Sequence, residues 1–147
     1  MKKEEPIHNH ICNYISMQYP DTIFTSDASG VKLTIGAAKA MKMKRSNHAI
    51  PDLLIFKPNG IYHGLILEIK TADTKLKTKK GTWATPHIAE QADTLEKLNK
   101  LGYCATFVCG FDEAKKCIDS YFAPIKFNIG VSFGEYKEKH IDVPMTC

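Results

Sequence analysis

The chain has 147 residues, of which 44% are hydrophobic and 24% charged, and its formal net charge is +4. These values predict one soluble globular domain and exclude a collagen-like, disordered or low-complexity chain. No apolar run approaches the length of a membrane span, and the opening residues lack the apolar stretch of a signal peptide. The five cysteines are odd in number and include no Cys-x-x-Cys pair. We therefore expect reduced thiols in a cytoplasmic protein.

The first third of the chain predicts two helices and a short strand. Ile7, Ile11 and Ile15 recur at a spacing of four, which indicates a helix over residues 7–18. The pattern then predicts a strand over 22–25, a turn over 27–30, a helix over 35–45 and a loop over 46–49.

The clearest local pattern is a pair of apolar runs on either side of an Asn-Gly turn. Residues 52–56 and 61–71 are these runs, and residues 57–60 form the turn between them. Two apolar runs around Asn-Gly are typical of an antiparallel hairpin.

The rest of the chain predicts a helix, a strand and a second helix. Residues 72–86 are polar and lysine-rich, which indicates a mobile basic insertion. Thr85 and Pro86 are suited to begin a helix, and Gly102 is suited to end it. The pattern then predicts a strand over 103–109, a helix from a cap at Asp112 to residue 122, and a possible strand over 128–133. This order predicts an α/β fold, a mixed central sheet with helices on both sides.

The hairpin brings two carboxylates together. Centring the turn near Gly60 places Asp52 opposite Glu68, with Cβ atoms roughly 5 Å apart. Glu68 and Lys70 share a face because side chains alternate along a strand, and Ile69 points to the other face. A register slip of one residue would put the two acids on opposite faces.

Two adjacent carboxylates on a buried sheet predict a metal site. Like charges directly opposite each other are destabilising, and burial increases that cost unless a cation is bound. Oxygen ligands favour Mg²⁺ or Mn²⁺, and the backbone carbonyl of Ile69 is a candidate third ligand beside Asp52 and Glu68. The alternative is a solvated pair at a strand end, since Glu-x-Lys also occurs at Glu113 and Glu135. The triplet at Glu68 alone follows an apolar strand and a Pro-Asp pair.

Two basic runs flank this candidate site and predict contacts with a polyanion. One precedes Asp52 and the other follows Lys70. Their members are Lys39, Lys42, Lys44 and Arg45, and then Lys75, Lys77, Lys79 and Lys80. Such side chains would bind DNA phosphates without reading sequence, although a solvated charged face is the simpler alternative for each run.

Gln91 is a further candidate because it lies on the buried face of a predicted helix. Ile88, Ala92, Leu95 and Leu98 mark that face. A polar residue there needs partners, which are either the metal site or the backbone.

Pro51-Asp52 followed by Glu68-Ile69-Lys70 resembles the PD-(D/E)xK pattern of restriction-type nucleases. The wider layout resembles the virus-type replication-repair nuclease family, VRR-Nuc, of the phage type, over residues 4–122. The resemblance implies a restriction-endonuclease-like core and a metal-dependent DNA endonuclease that acts on branched, flapped or junction DNA in repair or replication. It also implies a homodimer, a glutamate from the first helix (Glu4, with Glu5 as the alternative), and Gln91 as a site residue.

The resemblance assigns residues 1–123 to the nuclease domain and leaves residues 124–147 as a C-terminal extension of it. We expect no small-molecule cofactor and no membrane partner. Three other functions stay open: a sequence-specific restriction-type endonuclease, a non-catalytic nucleic-acid-binding domain of the same fold, and a ribonuclease.

Overall fold

The computed structural model describes residues 5–27 and 33–125, which form four helices and four strands. The elements in chain order are α1 (Glu5–Gln18), β1 (Phe24–Ser26), α2 (Ile35–Met43), β2 (Leu53–Ile55), β3 (Leu65–Lys70), α3 (Pro86–Lys100), β4 (Cys104–Cys109) and α4 (Phe111–Phe122). The strands lie side by side in numerical order. The first two pairings are antiparallel and the last is parallel. The predicted α/β fold with a mixed central sheet flanked by helices is therefore confirmed.

The two faces of the sheet are covered by different helices. Ile11 and Ile15 of α1 and Ile118 of α4 pack with Leu67 and Ile69 of β3 in the larger core cluster. On the opposite face, Leu95 of α3 packs on Ile66 and Ala105. Alternation along β3 therefore directs odd-numbered residues to α1 and α4, and even-numbered residues to α3.

The predicted register of the two central strands is confirmed. Leu53 pairs with Leu67 and Ile55 pairs with Leu65. Continuing this register by one residue places Asp52 opposite Glu68. The tight hairpin is wrong, however, because β3 begins at Leu65. Residues 56–64 form a longer loop in which the side-chain oxygen of Asn59 accepts hydrogen bonds from the backbone N–H groups of residues 61 and 62.

The start of α3 agrees with the sequence and the start of α4 does not. The Thr85 hydroxyl accepts a hydrogen bond from the N–H of Ile88 at 3.1 Å, as expected for a helix cap. In α4 the cap position is Gly110, whose φ of 85° turns the chain directly into the helix. Asp112 therefore lies inside the first turn, and its predicted capping role is wrong.

The basic insertion has a defined local structure. Lys77 and Trp83 form a short antiparallel bridge, and the Thr78 N–H donates to the Thr82 carbonyl at 2.8 Å. The Lys77 ammonium lies 4.9 Å from the centre of the Trp83 ring. The mobility of this segment stays a prediction. The possible strand over 128–133 and nearly all of the C-terminal extension lie outside the described residues.

Two remaining expectations concern membranes and thiols. Within the described ranges, no helix is long and apolar enough to cross a bilayer. Cys12, Cys109 and Cys117 carry free thiols. Cys104 is disulfide-bonded, so the expectation that all the cysteines are reduced is wrong for this residue.

Candidate active site

A cavity of about 570 Å³ contains the predicted metal and catalytic residues of the described chain. Its walls come from α1, the end of β1, the segment between α2 and β2, β3 and α3. Asp52, Glu68, Ile69, Lys70 and Gln91 all line it. The structure therefore brings together the two acids, the lysine and the glutamine.

Asp52 is fixed by the backbone of the neighbouring strand. Its Oδ2 accepts a hydrogen bond from the N–H of Ile69 at 2.8 Å. The N–H and C=O groups of one strand residue point to the same side. The Ile69 carbonyl therefore points toward Asp52, while the Ile69 side chain is buried in the core on the α1 and α4 face.

Glu68 is the buried centre of the site. Its side chain is 3% exposed, and its Oε1 accepts a hydrogen bond from the Lys70 ammonium at 3.0 Å. The Gln91 side-chain amide donates to the same oxygen. The pKa of Glu68 is raised to about 7, first by burial and then by the negative charge of Asp52, while Lys70 opposes the shift. The site thus holds more negative charge than one ammonium neutralises.

Gln91 comes from the helix that covers this face of the sheet. It lies one turn before Leu95 on the buried side of α3, as the helical periodicity predicts. Its Nε2 binds Glu68, whereas its Oε1 is buried without a hydrogen bond in the described part of the chain. A buried acceptor of this kind requires a donor such as water. In the described part of the chain, the hydrogen bond of Gln91 is therefore to Glu68 and none joins it to Lys70.

The first helix reaches the same cavity. Glu5 is exposed and lines its rim, whereas Glu4 lies outside the described residues. Within residues 5–27 and 33–125, no group of three or more His, Cys, Asp or Glu side chains is arranged to hold a metal. The predicted donors, Asp52, Glu68 and the Ile69 carbonyl, line the cavity together with the carboxylates of Glu5 and Asp27.

The predicted basic residues divide into two groups. Seven lysines are exposed, three on or just after α2 and four in the insertion. Arg45 differs from them because its guanidinium is paired with the carboxylate of Asp27 and lines the cavity. The DNA-binding roles of all eight residues stay predictions.

Asp27 and His8 also line the cavity, and the sequence did not single them out for the site. His8 shares a hydrogen bond of 2.9 Å with the Ser26 hydroxyl. The N–H of Asp27 donates to the carbonyl of Asp52 at 2.8 Å, because β1 pairs with β2 just before this point. The turn-like pattern at 27–30 carries no signal for this pairing, which depends on contacts distant in sequence.

Comparison with solved structures finds a similar protein. No family model and no curated protein matches the chain. A solved structure named "VRR_NUC domain protein" is similar to it, with a TM-score of 0.59 and 27% sequence identity. The match covers 83% of this chain and 89% of that one. This likeness supports the VRR-Nuc resemblance.

Two observations now support the VRR-Nuc resemblance. One is the motif at Asp52, Glu68 and Lys70, which the fold brings into one cavity. The other is the agreement of the fold over most of both chains. The resemblance to the phage type and to the wider PD-(D/E)xK group derives from the sequence pattern alone and stays a prediction.

Proposed function

We propose that this protein is a Mg²⁺- or Mn²⁺-dependent endonuclease that hydrolyses phosphodiester bonds in DNA. The solved structure named VRR_NUC domain protein supports a nuclease-type function. The observation that carries the proposal is the convergence of Asp52, Glu68 and Lys70 in one cavity. A buried cluster of two acids and a base is costly to fold, which favours a functional origin.

The donors in the cavity fit a small divalent cation. Mg²⁺ is commonly bound through one or two carboxylates while it keeps several waters, so a cage of many protein ligands is not needed. Asp52, Glu68 and the Ile69 carbonyl would hold the ion, and the unpartnered Oε1 of Gln91 would accept a hydrogen bond from a water. A bound ion of this kind supplies Lewis acidity toward a phosphoryl oxygen and makes a nearby water more acidic.

Lys70 supplies positive charge where the reaction develops negative charge. Its ammonium has three protons, and one is directed to Glu68 at 3.0 Å. The other two are available to a phosphate oxygen, so we assign Lys70 to electrostatic stabilisation of the transition state. Glu68 orients Lys70, and Gln91 in turn holds Glu68 from the opposite helix.

The exposed lysines around the cavity are consistent with the substrate preference that we propose. The exposed lysines of α2 and the insertion would bind phosphates, which positions DNA without reading its bases. Recognition of shape is therefore proposed over recognition of sequence, with branched, flapped or junction DNA as substrate. This preference, the homodimer and a cytoplasmic location derive from the sequence and its family resemblance.

A cleavage panel with one matched pair of variants tests the proposal. Linear, flapped and four-way DNA, each with an RNA counterpart, are incubated with Mg²⁺, Mn²⁺ or EDTA. Asp52→Asn removes one proposed ligand without a change of size. Asp112→Asn is the control, since Asp112 is exposed on α4, away from the cavity.

We expect wild type and Asp112→Asn to cleave branched DNA with divalent ions, and Asp52→Asn to bind it without cleavage. Cleavage in EDTA, or full activity of Asp52→Asn, would contradict the proposal. DNA binding without cleavage by wild type would favour the non-catalytic domain. Cleavage confined to RNA would favour the ribonuclease, and cuts at one fixed sequence would favour the restriction-type enzyme.

A further inference from the structure

A partly buried ion pair lies beside the proposed catalytic residues. One nitrogen of the Arg45 guanidinium donates to Asp27 Oδ2 at 3.1 Å, and its other terminal nitrogen contacts Oδ1. The Asp27 side chain is 7% exposed and that of Arg45 is 26% exposed. This two-point contact fixes both the position and the plane of the guanidinium.

The pair is tied to the site through the backbone. The Asp27 N–H donates to the Asp52 carbonyl at 2.8 Å, so the arginine's anchor is bonded to the main chain of a proposed ligand. Both Asp27 and Arg45 line the cavity that contains Asp52 and Lys70. Arginine has five N–H donors, and the contact with Asp27 occupies two of them. The remaining donors are available to a ligand in the cavity.

Arg45 also lines a second cavity, which indicates a path for the substrate. This cavity has a volume of about 620 Å³ and shares Arg45, His48, Ala49 and His87 with the first. Its far wall carries Lys42 of α2. The two cavities thus adjoin at Arg45, with Glu68 and Lys70 in the first and Lys42 in the second.

We propose that Arg45, oriented by Asp27, binds a phosphate next to the cleaved bond, and that the strand continues along the second cavity toward Lys42. Arg45 is then a substrate-binding residue and Asp27 its positioning residue. This inference rests on the proposed nuclease function and adds to it the direction of the bound strand. A guanidinium suits the role because its planar fork matches the geometry of a phosphate.

The alternative is a purely structural ion pair that joins the ends of the β1 and α2 segments. The two interpretations predict opposite effects of Asp27→Asn on DNA binding. Asp27→Asn removes a negative charge from a DNA-binding cavity, so simple electrostatics predicts tighter DNA binding. If Asp27 orients Arg45 for a phosphate, the same substitution weakens binding.

The experiment measures the Kd for a fluorescein-labelled flapped duplex in EDTA, and kcat and KM for its cleavage with Mg²⁺. We expect Arg45→Ala to weaken binding about tenfold, because a hydrogen-bonded ionic contact is lost. KM should rise accordingly, with a smaller change in kcat. The slope of log Kd against log salt should fall by about 0.9, as expected for the loss of one phosphate contact.

Asp27→Asn should weaken binding in the wild-type background and have no such effect in the Arg45→Ala background. Arg45→Lys should fall between wild type and Arg45→Ala. The controls are Lys116→Ala and Asp21→Asn, which remove exposed charges outside both cavities. Melting temperatures identify any variant that is unfolded at the assay temperature, and Arg45→Lys then replaces Arg45→Ala.

An unchanged Kd and KM for Arg45→Ala, or tighter binding by Asp27→Asn, would overturn the inference. The nuclease proposal fails separately, if wild-type protein cleaves none of the DNA panel. The Kd comparison still decides the role of Arg45 in that case. Absence of any DNA binding by wild type would reject both.

Discussion

The two faces of the central sheet contrast sharply in chemistry. Toward α1 and α4, the buried side chains are almost entirely aliphatic, sulphur-containing or aromatic. Toward α3 lie four residues that are both buried and polar: Glu68, Lys70, Gln91 and Thr94. The apolar cluster on the α3 face is correspondingly small.

Within β3, one set of side chains therefore contributes to stability and the other set belongs to the candidate site. Odd-numbered residues of β3 support the fold, and even-numbered residues near its end form the site. A buried charge that serves stability alone could be replaced by an apolar residue without loss. The polar cluster therefore favours the proposed metal site, and the apolar face opposite supplies free energy that offsets its folding cost.

Truncation of a side chain on the apolar face should cause the largest loss in the free energy of unfolding. Ile118→Ala removes a fully buried side chain of α4 and should lower the free energy of unfolding by about 2–5 kcal/mol. Leu95→Ala on the α3 face should cost less, because Leu95 borders a surface cavity whose walls can relax. Urea denaturation of both variants measures the difference. Equal losses would contradict the assignment of the main core to the α1 and α4 side.

Removal of the site ammonium should affect catalysis more than folding. Lys70→Met keeps the chain length of the side chain and should reduce the single-turnover cleavage rate about 10²–10³-fold, about 2.7–4 kcal/mol in the activation barrier. Lys116→Met on the exposed side of α4 is the control for a lysine-to-methionine change. A Lys70→Met enzyme with a normal rate would exclude Lys70 from the reaction.

Much of this contrast is visible in the sequence because local patterns determine it. Alternation along β3 separates Glu68 and Lys70 from Ile69, and helical periodicity places Gln91 with Leu95. The Thr85-Pro86 start of α3 also has a local cause. The register of β2 and β3 follows from the position of the intervening turn, although the loop proved longer than a tight hairpin.

The missed features depend on contacts between distant segments. Asp27 reaches the cavity because β1 pairs with β2, and three-residue strands carry too little pattern to fix a partner. The cap of α4 is Gly110, whose backbone conformation replaces the side-chain cap expected at Asp112. Arg45 resembles the neighbouring exposed lysines in sequence, and only the tertiary fold pairs it with Asp27.

Neutralising Glu68 should stabilise the metal-free protein in a pH-dependent way. The folded-state pKa of Glu68 is about 7, above the ordinary value of 4.5, first because of burial and then because of the Asp52 charge. Below pH 4.5 the group is protonated in both the folded and unfolded states and costs nothing. Stability falls as pH rises toward 7, and the loss reaches about 3 kcal/mol above that pH.

In EDTA, the free energy of unfolding of Glu68→Gln should therefore match wild type near pH 4 and exceed it at pH 8. Added Mn²⁺ should raise the melting temperature of wild type and leave Glu68→Gln almost unchanged. Glu90→Gln, an exposed change on α3, is the control. A pH-independent difference between Glu68→Gln and wild type would show that the charge of Glu68 carries no folding cost.

The smallest loss in the free energy of unfolding should come from a substitution at the β4 side of the sheet. There, a side chain of α3 binds the backbone of the strand. Among the described strands β4 lies at an edge of the sheet, and the Asn99 side chain donates to the Ala105 carbonyl at 2.8 Å and accepts from its N–H at 2.9 Å. Asn99→Ala removes both bonds and should cost about 1–2 kcal/mol in the free energy of unfolding. It also frees backbone groups that can pair with another chain, so light scattering at high concentration should increase.

Asn13→Ala is the matched control for that change, because Asn13 is exposed on α1 and alanine gains the same helix propensity there. Asn13→Ala should keep or raise stability, whereas Asn99→Ala should lower it. If both variants have the same free energy of unfolding, the hydrogen bonds of Asn99 stabilise β4 no more than hydrogen bonds to water would. The α3 side would then contribute the site residues and a small apolar cluster, and the stability of the sheet would depend on α1 and α4.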